Sequence, residues 1–141
     1  MAELVVTVAI IGIIMALGTP VFLRYLQSSK LRAGAEEMAT VLSSARQLAI
    51  KENSTVCVTN DGTKVQYHVG GCANAAWTGQ GTDTTGFIRL ANSVTVSSGT
   101  SVVFTYLGAA STAGTYTVTN PQDGATLHVI VAATGRVSIG P

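Results

Sequence analysis

From Leu4 to Leu23 the chain reads LVVTVAIIGIIMALGTPVFL, twenty residues without a charge. At ~1.5 Å per residue a helix of that length spans ~30 Å, the thickness of a bilayer's hydrocarbon core. The run is apolar on every face, which disfavours the core helix of a soluble domain, since that needs a polar side. A secretory signal peptide is the first competitor, with Ala16-Leu17-Gly18 as a passable cleavage site. Such signals open on a basic segment, whereas here Glu3 precedes the run and no Lys or Arg does. Charged residues make up only 11% of the 141-residue chain, against roughly 25% in an average soluble protein. That composition, with a net charge of +1, argues against disorder and against a broadly basic nucleic-acid binder. It leaves a membrane-anchored chain or one that packs against copies of itself.

The flanking charges sharpen this reading. Arg24, Lys30 and Arg32 follow the run, and the positive-inside rule would hold them in the cytoplasm. If the remainder is exported, basic residues are expected upstream, on a leader removed by processing. Glu3 is costly at the start of a membrane helix without a partner. The helix dipole recovers about 0.3–1 kcal/mol, and a free α-amino group is the nearest candidate for the rest. Hydration in the headgroup region is the alternative.

Beyond Tyr25 the pattern changes. Leu31, Ala35, Met38, Leu42, Ala45 and Ala49 recur at spacings of four and three, one apolar stripe on an amphipathic helix. The helix is expected from about Ser28 to Lys51, ending near Asn53, and continuous with the first as one long, bent element. The stripe is narrow and rich in Ala, which suits close packing on a sheet. Pro20 removes the bond to the Ala16 carbonyl, Thr19 before it is biased from helical angles and Gly18 adds freedom. A kink or an unwound stretch is therefore expected within Ala16–Phe22.

From Ser54 onward the chain reads as β structure. Val65, Tyr67 and Val69 alternate with polar residues, and Ser54–Val58 and Lys64–Val69 flank an Asp-Gly turn. Further strands are expected at Phe87–Ala91, Val94–Ser97, Val102–Tyr106, Thr115–Thr119, Leu127–Ala132 and Arg136–Ile139. Ala73–Gly86 is expected as a surface loop pinned by Trp77. The fold class is α+β: a long N-terminal α-helix, apolar then amphipathic, packed on an antiparallel β domain. Three regions follow, residues 1–27, 28–53 and 54–141.

The N-terminal residues carry a resemblance. Glu3, the unbroken apolar run Leu4–Ile14 and Pro20 resemble the start of type IV pilins and type II secretion pseudopilins. Ala45–Asn53 followed by Val56 and Val58, then Phe104–Gly108, Gly114-Thr115-Tyr116 and Gly135-Arg136-Val137, resemble the GspH/FimT branch of that family. The resemblance implies a pilin-like fold and a subunit that polymerises through its N-terminal helix into a type IV pilus-like filament. A minor pseudopilin or pilin of a secretion or pilus-tip complex, and a DNA-binding pilin of natural transformation, are the alternatives. It also implies a prepilin peptidase that removes a basic leader, N-methylation of the new terminus and an inner-membrane assembly machinery. Expected partners are copies of the chain and other pilins, with the membrane before assembly. The expected location is the inner membrane, then a cell-surface filament or a periplasm-spanning pseudopilus. Glu3 would pair with a neighbour's terminal amine, and Gly18 and Pro20 would give the helix its compliance. Two residues precede the glutamate here, where the family usually has four, the first usually Phe.

An exported domain lives where disulfides persist, and Cys57 and Cys72 are the only cysteines. Their bridge is expected to contribute ~3 kcal/mol, with two buried free thiols as the alternative. A zinc site joining them to His68 and His128 lacks the usual ligand spacing. No nucleophile, zinc-protease or phosphate-loop motif is present, so neither catalysis, a cofactor nor a metal is expected. Asn53-Ser54-Thr55 matches a glycosylation acceptor, a pattern common by chance. From Ser54 on, Lys64, Arg89 and Arg136 balance Asp61, Asp83 and Asp123, so nucleic acid is not an expected partner. DNA-binding members of the branch carry Gly-Arg-x-Arg. Here Gly135-Arg136-Val137-Ser138 lacks the second arginine, which leaves Arg136 as the one candidate DNA contact.

Overall fold

A computed structural model describes residues 2–141; Leu17, Gly18 and Pro20 are described only in being helical. The first element, α1 (Ala2–Lys51), is a single helix of 50 residues. At ~1.5 Å per residue it is ~75 Å long, far more than the domain at its C-terminal half can cover. Residues 16–22 are helical throughout, so of the kink or unwound stretch expected within Ala16–Phe22 the unwound form does not occur. A proline deletes one bond of the ladder, and the Thr19 hydroxyl adds one by donating to the Met15 carbonyl at 2.7 Å. The surroundings of Gly18 and Pro20 lie outside the described residues.

The helix ends because Asn53 turns left-handed, at φ 47°. The Ser54 N–H then reaches the Ala49 carbonyl at 3.1 Å, and the Asn53 N–H reaches that of Ile50 at 3.3 Å. These two bonds satisfy carbonyls that the helix end would otherwise leave open.

Nine strands follow: β1 (Val56–Asp61), β2 (Lys64–Val69), β3 (Phe87–Arg89), β4 (Thr95–Ser98), β5 (Val102–Phe104), β6 (Ala110–Thr112), β7 (Gly114–Thr119), β8 (Thr126–Val131) and β9 (Val137–Gly140). They form two antiparallel sheets, ordered β3-β2-β1-β5-β6 and β4-β7-β8-β9. β1 extends three residues further than its apolar pattern suggested, so that Asp61 pairs with Lys64 across a two-residue turn. β6 is a strand that sequence reasoning missed. Its Ala-Ser-Thr has no apolar alternation, and it is held as an edge by pairing with β5.

The C-terminal half of α1 packs on both sheets. Leu31, Ala35, Met38, Leu42, Ala45 and Ala49 are all buried, as their spacing requires, and Val41 and Leu48 widen the stripe. Opposite them lie Val56, Val58, Val65, Val102 and Phe104 of the first sheet and Val96, Tyr116, Val118, Val129 and Val131 of the second. Small residues let the helix approach closely. A Cβ at Gly34 would lie 2.7 Å from Val94 Cγ2. The Glu37 carboxylate fastens the same region by accepting the Ala91 N–H at 3.1 and 3.0 Å and the Asn92 side-chain amide at 3.3 Å.

Candidate assembly surface

The domain leaves the N-terminal half of α1 uncovered. Among the described residues, fourteen large apolar side chains between Leu4 and Leu26 are exposed, each by 38–70%. Burying such a side chain is worth about 1.5–3 kcal/mol relative to water, so covering this stem is worth tens of kcal/mol. A charge-free apolar helix of this length satisfies its backbone internally, which makes it acceptable to lipid as well as to like helices. Glu3 is exposed in the first turn, where a carboxylate complements the helix dipole. Arg32 and Glu36, where the stem enters the domain, form an exposed i,i+4 ion pair at 3.2 Å.

The cysteines meet. Cys57, in the middle of the first sheet, is bonded to Cys72 with their Cα atoms 5.0 Å apart. The bridge anchors the long loop that follows β2. Trp77 pins that loop as expected, packing on Tyr67 with ring centroids 6.3 Å apart, while its backbone N–H donates to the Tyr67 carbonyl at 2.7 Å. His68 is used structurally in the same place: Nδ1 lies 2.7 Å from the Asn74 carbonyl and Nε2 3.0 Å from the Thr59 hydroxyl. His128 sits on the other sheet against Thr117. Among the described residues no three His, Cys, Asp or Glu side chains converge as metal ligands. Asp83 caps the end of the loop. Its carboxyl is held below the usual range chiefly by the Thr85 hydroxyl, then by the Phe87 N–H.

Arg136 lies exposed in the β8–β9 turn. The structure brings it to one cleft of about 470 Å³ with Ser43, Arg46, Gln47 and Ile50 of α1. Arg46 is a residue that sequence reasoning quoted without assigning a role. The available signal was its place four residues after Leu42, a charge on the border of the buried stripe. The turn fits against the helix because Gly135 lacks a side chain: a Cβ there would collide with the Gly108 carbonyl oxygen. Gly135 is also at φ 79°, where an L side chain is strained.

The fold has known counterparts. The family model described as Type II transport protein GspH matches residues 34–135. The minor pilin FimU of Pseudomonas aeruginosa superposes with a TM-score of 0.55 at 17% identity, covering 83% of this chain and 92% of that one. The minor pseudopilin EpsH from the type 2 secretion system of Vibrio cholerae gives 0.58 at 12% identity, over 78% and 95% of the two chains. GspH of E. coli gives 0.55 at 14% identity, over 79% and 87%. At these identities the three structures establish the pilin-like fold. No curated protein sequence matches the chain.

Proposed function

Because the chain belongs to the GspH family of type II transport proteins, we propose that it is a structural subunit of a type IV pilus-like filament, polymerising through its apolar N-terminal helix. The family consists of structural subunits, not enzymes. The observation that carries the reading is the uncovered stem from Leu4 to Leu26. A stem that apolar needs lipid or sister helices around it, and the two environments correspond to a membrane-held store and an assembled bundle. Transfer between them changes little in hydrophobic free energy, since lipid tails are as apolar as the bundle interior. Specific contacts, among them Glu3 with a neighbour's terminal amine, then decide when a subunit leaves the membrane. A basic leader removed by a prepilin peptidase, N-methylation and extraction by an inner-membrane machinery complete this reading, with the domain beyond Ser54 exported.

A second reading is that of a minor subunit, present in few copies in a secretion pseudopilus or at a pilus tip. It is supported by the descriptions of FimU and EpsH as minor components of their systems. Electron microscopy of sheared filaments, with mass spectrometry of their subunits, tests both. The polymerising reading expects this chain as a principal component, and the minor reading expects it at a small fraction of another pilin. A chain that stays wholly in the membrane fraction of filament-producing cells overturns the polymerising reading, and one that co-purifies from membranes with no other pilin overturns the minor one.

A further inference from the structure

The second sheet carries its only charges at opposite ends. From Leu90 to Pro141 the charged residues are Asp123 and Arg136. Asp123 sits in the turn leading into β8, closed by the Gly124 N–H on the Asn120 carbonyl at 2.9 Å. Arg136 sits in the turn leaving β8, where its carbonyl accepts the Ala132 N–H at 2.9 Å. The six residues of β8 separate the two turns, ~20 Å at ~3.4 Å per residue. The Asp123 end faces the stem: Leu127, beside it on β8, lines a groove with Arg32 and Glu36. The Arg136 end lies beside the last turns of α1.

The cleft at the Arg136 end brings two guanidinium groups together. Arg46 Nε is buried without a hydrogen-bond partner against the Gly108 and Gly135 backbone, which fixes the side chain at the cleft wall. Among the described residues neither Arg46 nor Arg136 pairs with a carboxylate. Ile50, 50% exposed, lines it, and Tyr106 and Leu107 are exposed on the turn before Gly108. The turn carrying Tyr106 and Leu107 abuts the helix, since a Cβ at Gly108 would lie 3.1 Å from Ile50 Cδ1. An arginine pair favours a planar carboxylate, because the guanidinium fork matches it.

We propose that this cleft is the socket for the Asp123 turn of a second copy of the chain, stacked head to tail on the first. The proposal rests on the filament reading. Parallel stems give every head the same polarity, so neighbouring copies must meet through two different surfaces, and an acid at the stem end with a socket at the far end satisfies that requirement. Asp123 is exposed, and its Oδ1 is steadied by the Ala125 N–H at 3.0 Å. Duplex DNA is the poorer occupant. DNA affinity grows with the number of phosphates neutralised, and from Glu36 on the chain has five bases against six acids, so two arginines form no track.

Charge exchange tests the contact. Arg136→Asp and Asp123→Arg are produced separately and together in filament-forming cells, and the chain is quantified in sheared filaments and in membranes. Each variant alone sets like charges between positions 123 and 136 at every junction, and a loss of at least about tenfold in filament yield is expected at unchanged membrane level. Co-production restores about the wild-type yield, because copies of alternating kind pair opposite charges at every junction. Either variant assembling normally alone overturns the contact and leaves the filament reading standing, as does a mixture no better than its parts. A wild-type chain absent from sheared filaments overturns both. A gel shift of duplex DNA at physiological salt that is lost in Arg136→Ala assigns the cleft to phosphate and overturns the proposal.

Discussion

The hydroxyl of Tyr116, on β7 of the second sheet, donates to the carbonyl of Val58, on β1 of the first, at 2.9 Å. The same oxygen accepts the Val102 N–H at 3.2 Å. Val58 and Val102 are register partners, so one side chain from the second sheet closes the end of a ladder in the first. Tyr116 is fully buried, and so are all the groups it serves.

Tyr116→Phe removes that bridge without changing the packing. It leaves a buried N–H and a buried carbonyl short of a partner, which costs about 1–3 kcal/mol. The expected outcome is a lower thermal midpoint, read by circular dichroism, with the folded spectrum retained. An unchanged midpoint would show that the bridge contributes nothing.

Alkaline pH should unfold the domain through its tyrosines. Burial pushes the Tyr116 hydroxyl up to about 12, against an opposing contribution from the Val102 N–H. Tyr67, whose hydroxyl donates to the Val41 carbonyl at 2.6 Å, is pushed up by burial as well. An unfolded tyrosine loses its proton near pH ~10. Above that value the unfolded chain releases protons that the folded chain keeps, so rising pH favours unfolding. Stability is therefore full below pH ~10 and falls above it by about 1.4 kcal/mol per pH unit for each buried tyrosine. Unfolding free energy measured across this window checks the slope, which Tyr116→Phe should reduce.

Gly34 lies where α1 packs against Val94, just before β4. Gly34→Ala gains about 1 kcal/mol of helix propensity. Its methyl would also meet both γ-carbons of Val94, at 2.7 and 2.8 Å, and a β-branched side chain yields little at χ1. Overpacking of this kind costs about 1–3 kcal/mol, so a net loss is expected. A double-mutant cycle with Val94→Ala should show coupling of about 0.5 kcal/mol or more, and additive effects would show that the contact relaxes freely.

The disulfide should hold the Trp77 loop as well as the sheet. Cys57→Ser with Cys72→Ser is expected to cost about 3 kcal/mol and to speed hydrogen exchange between Gly70 and Gly86. Thiol labelling of the denatured, unreduced protein should find no free cysteine; two labelled thiols would contradict the bridge.

Glu3→Ala should slow filament assembly while leaving membrane insertion intact, because it deletes the carboxylate and no part of the apolar stem. Pulse-labelled chain appearing in sheared filaments measures the rate. A normal rate would remove Glu3 from the assembly step.

The periodicities carried much of the fold. Alternation of four and three from Leu31 to Ala49 named the buried face of α1, and the charge-free run Leu4–Leu23 named the part that the domain leaves bare. Both are local patterns, because a helix repeats every 3.6 residues and an apolar stretch is apolar wherever it sits. β6 escaped because its strand character comes from its partner β5, not from its own residues. The two ends of β8 escaped for a similar reason. Asp123 read as an isolated turn charge, Arg136 as the start of a strand and a candidate DNA contact, and Arg46 as one more polar residue on a helix. The sequence by itself determined which faces must be buried and which helix must seek company. Only the tertiary structure decided that Arg46 and Arg136 share a cleft and that Tyr116 reaches Val58 across 58 residues, since such meetings depend on how two sheets and a helix settle against one another.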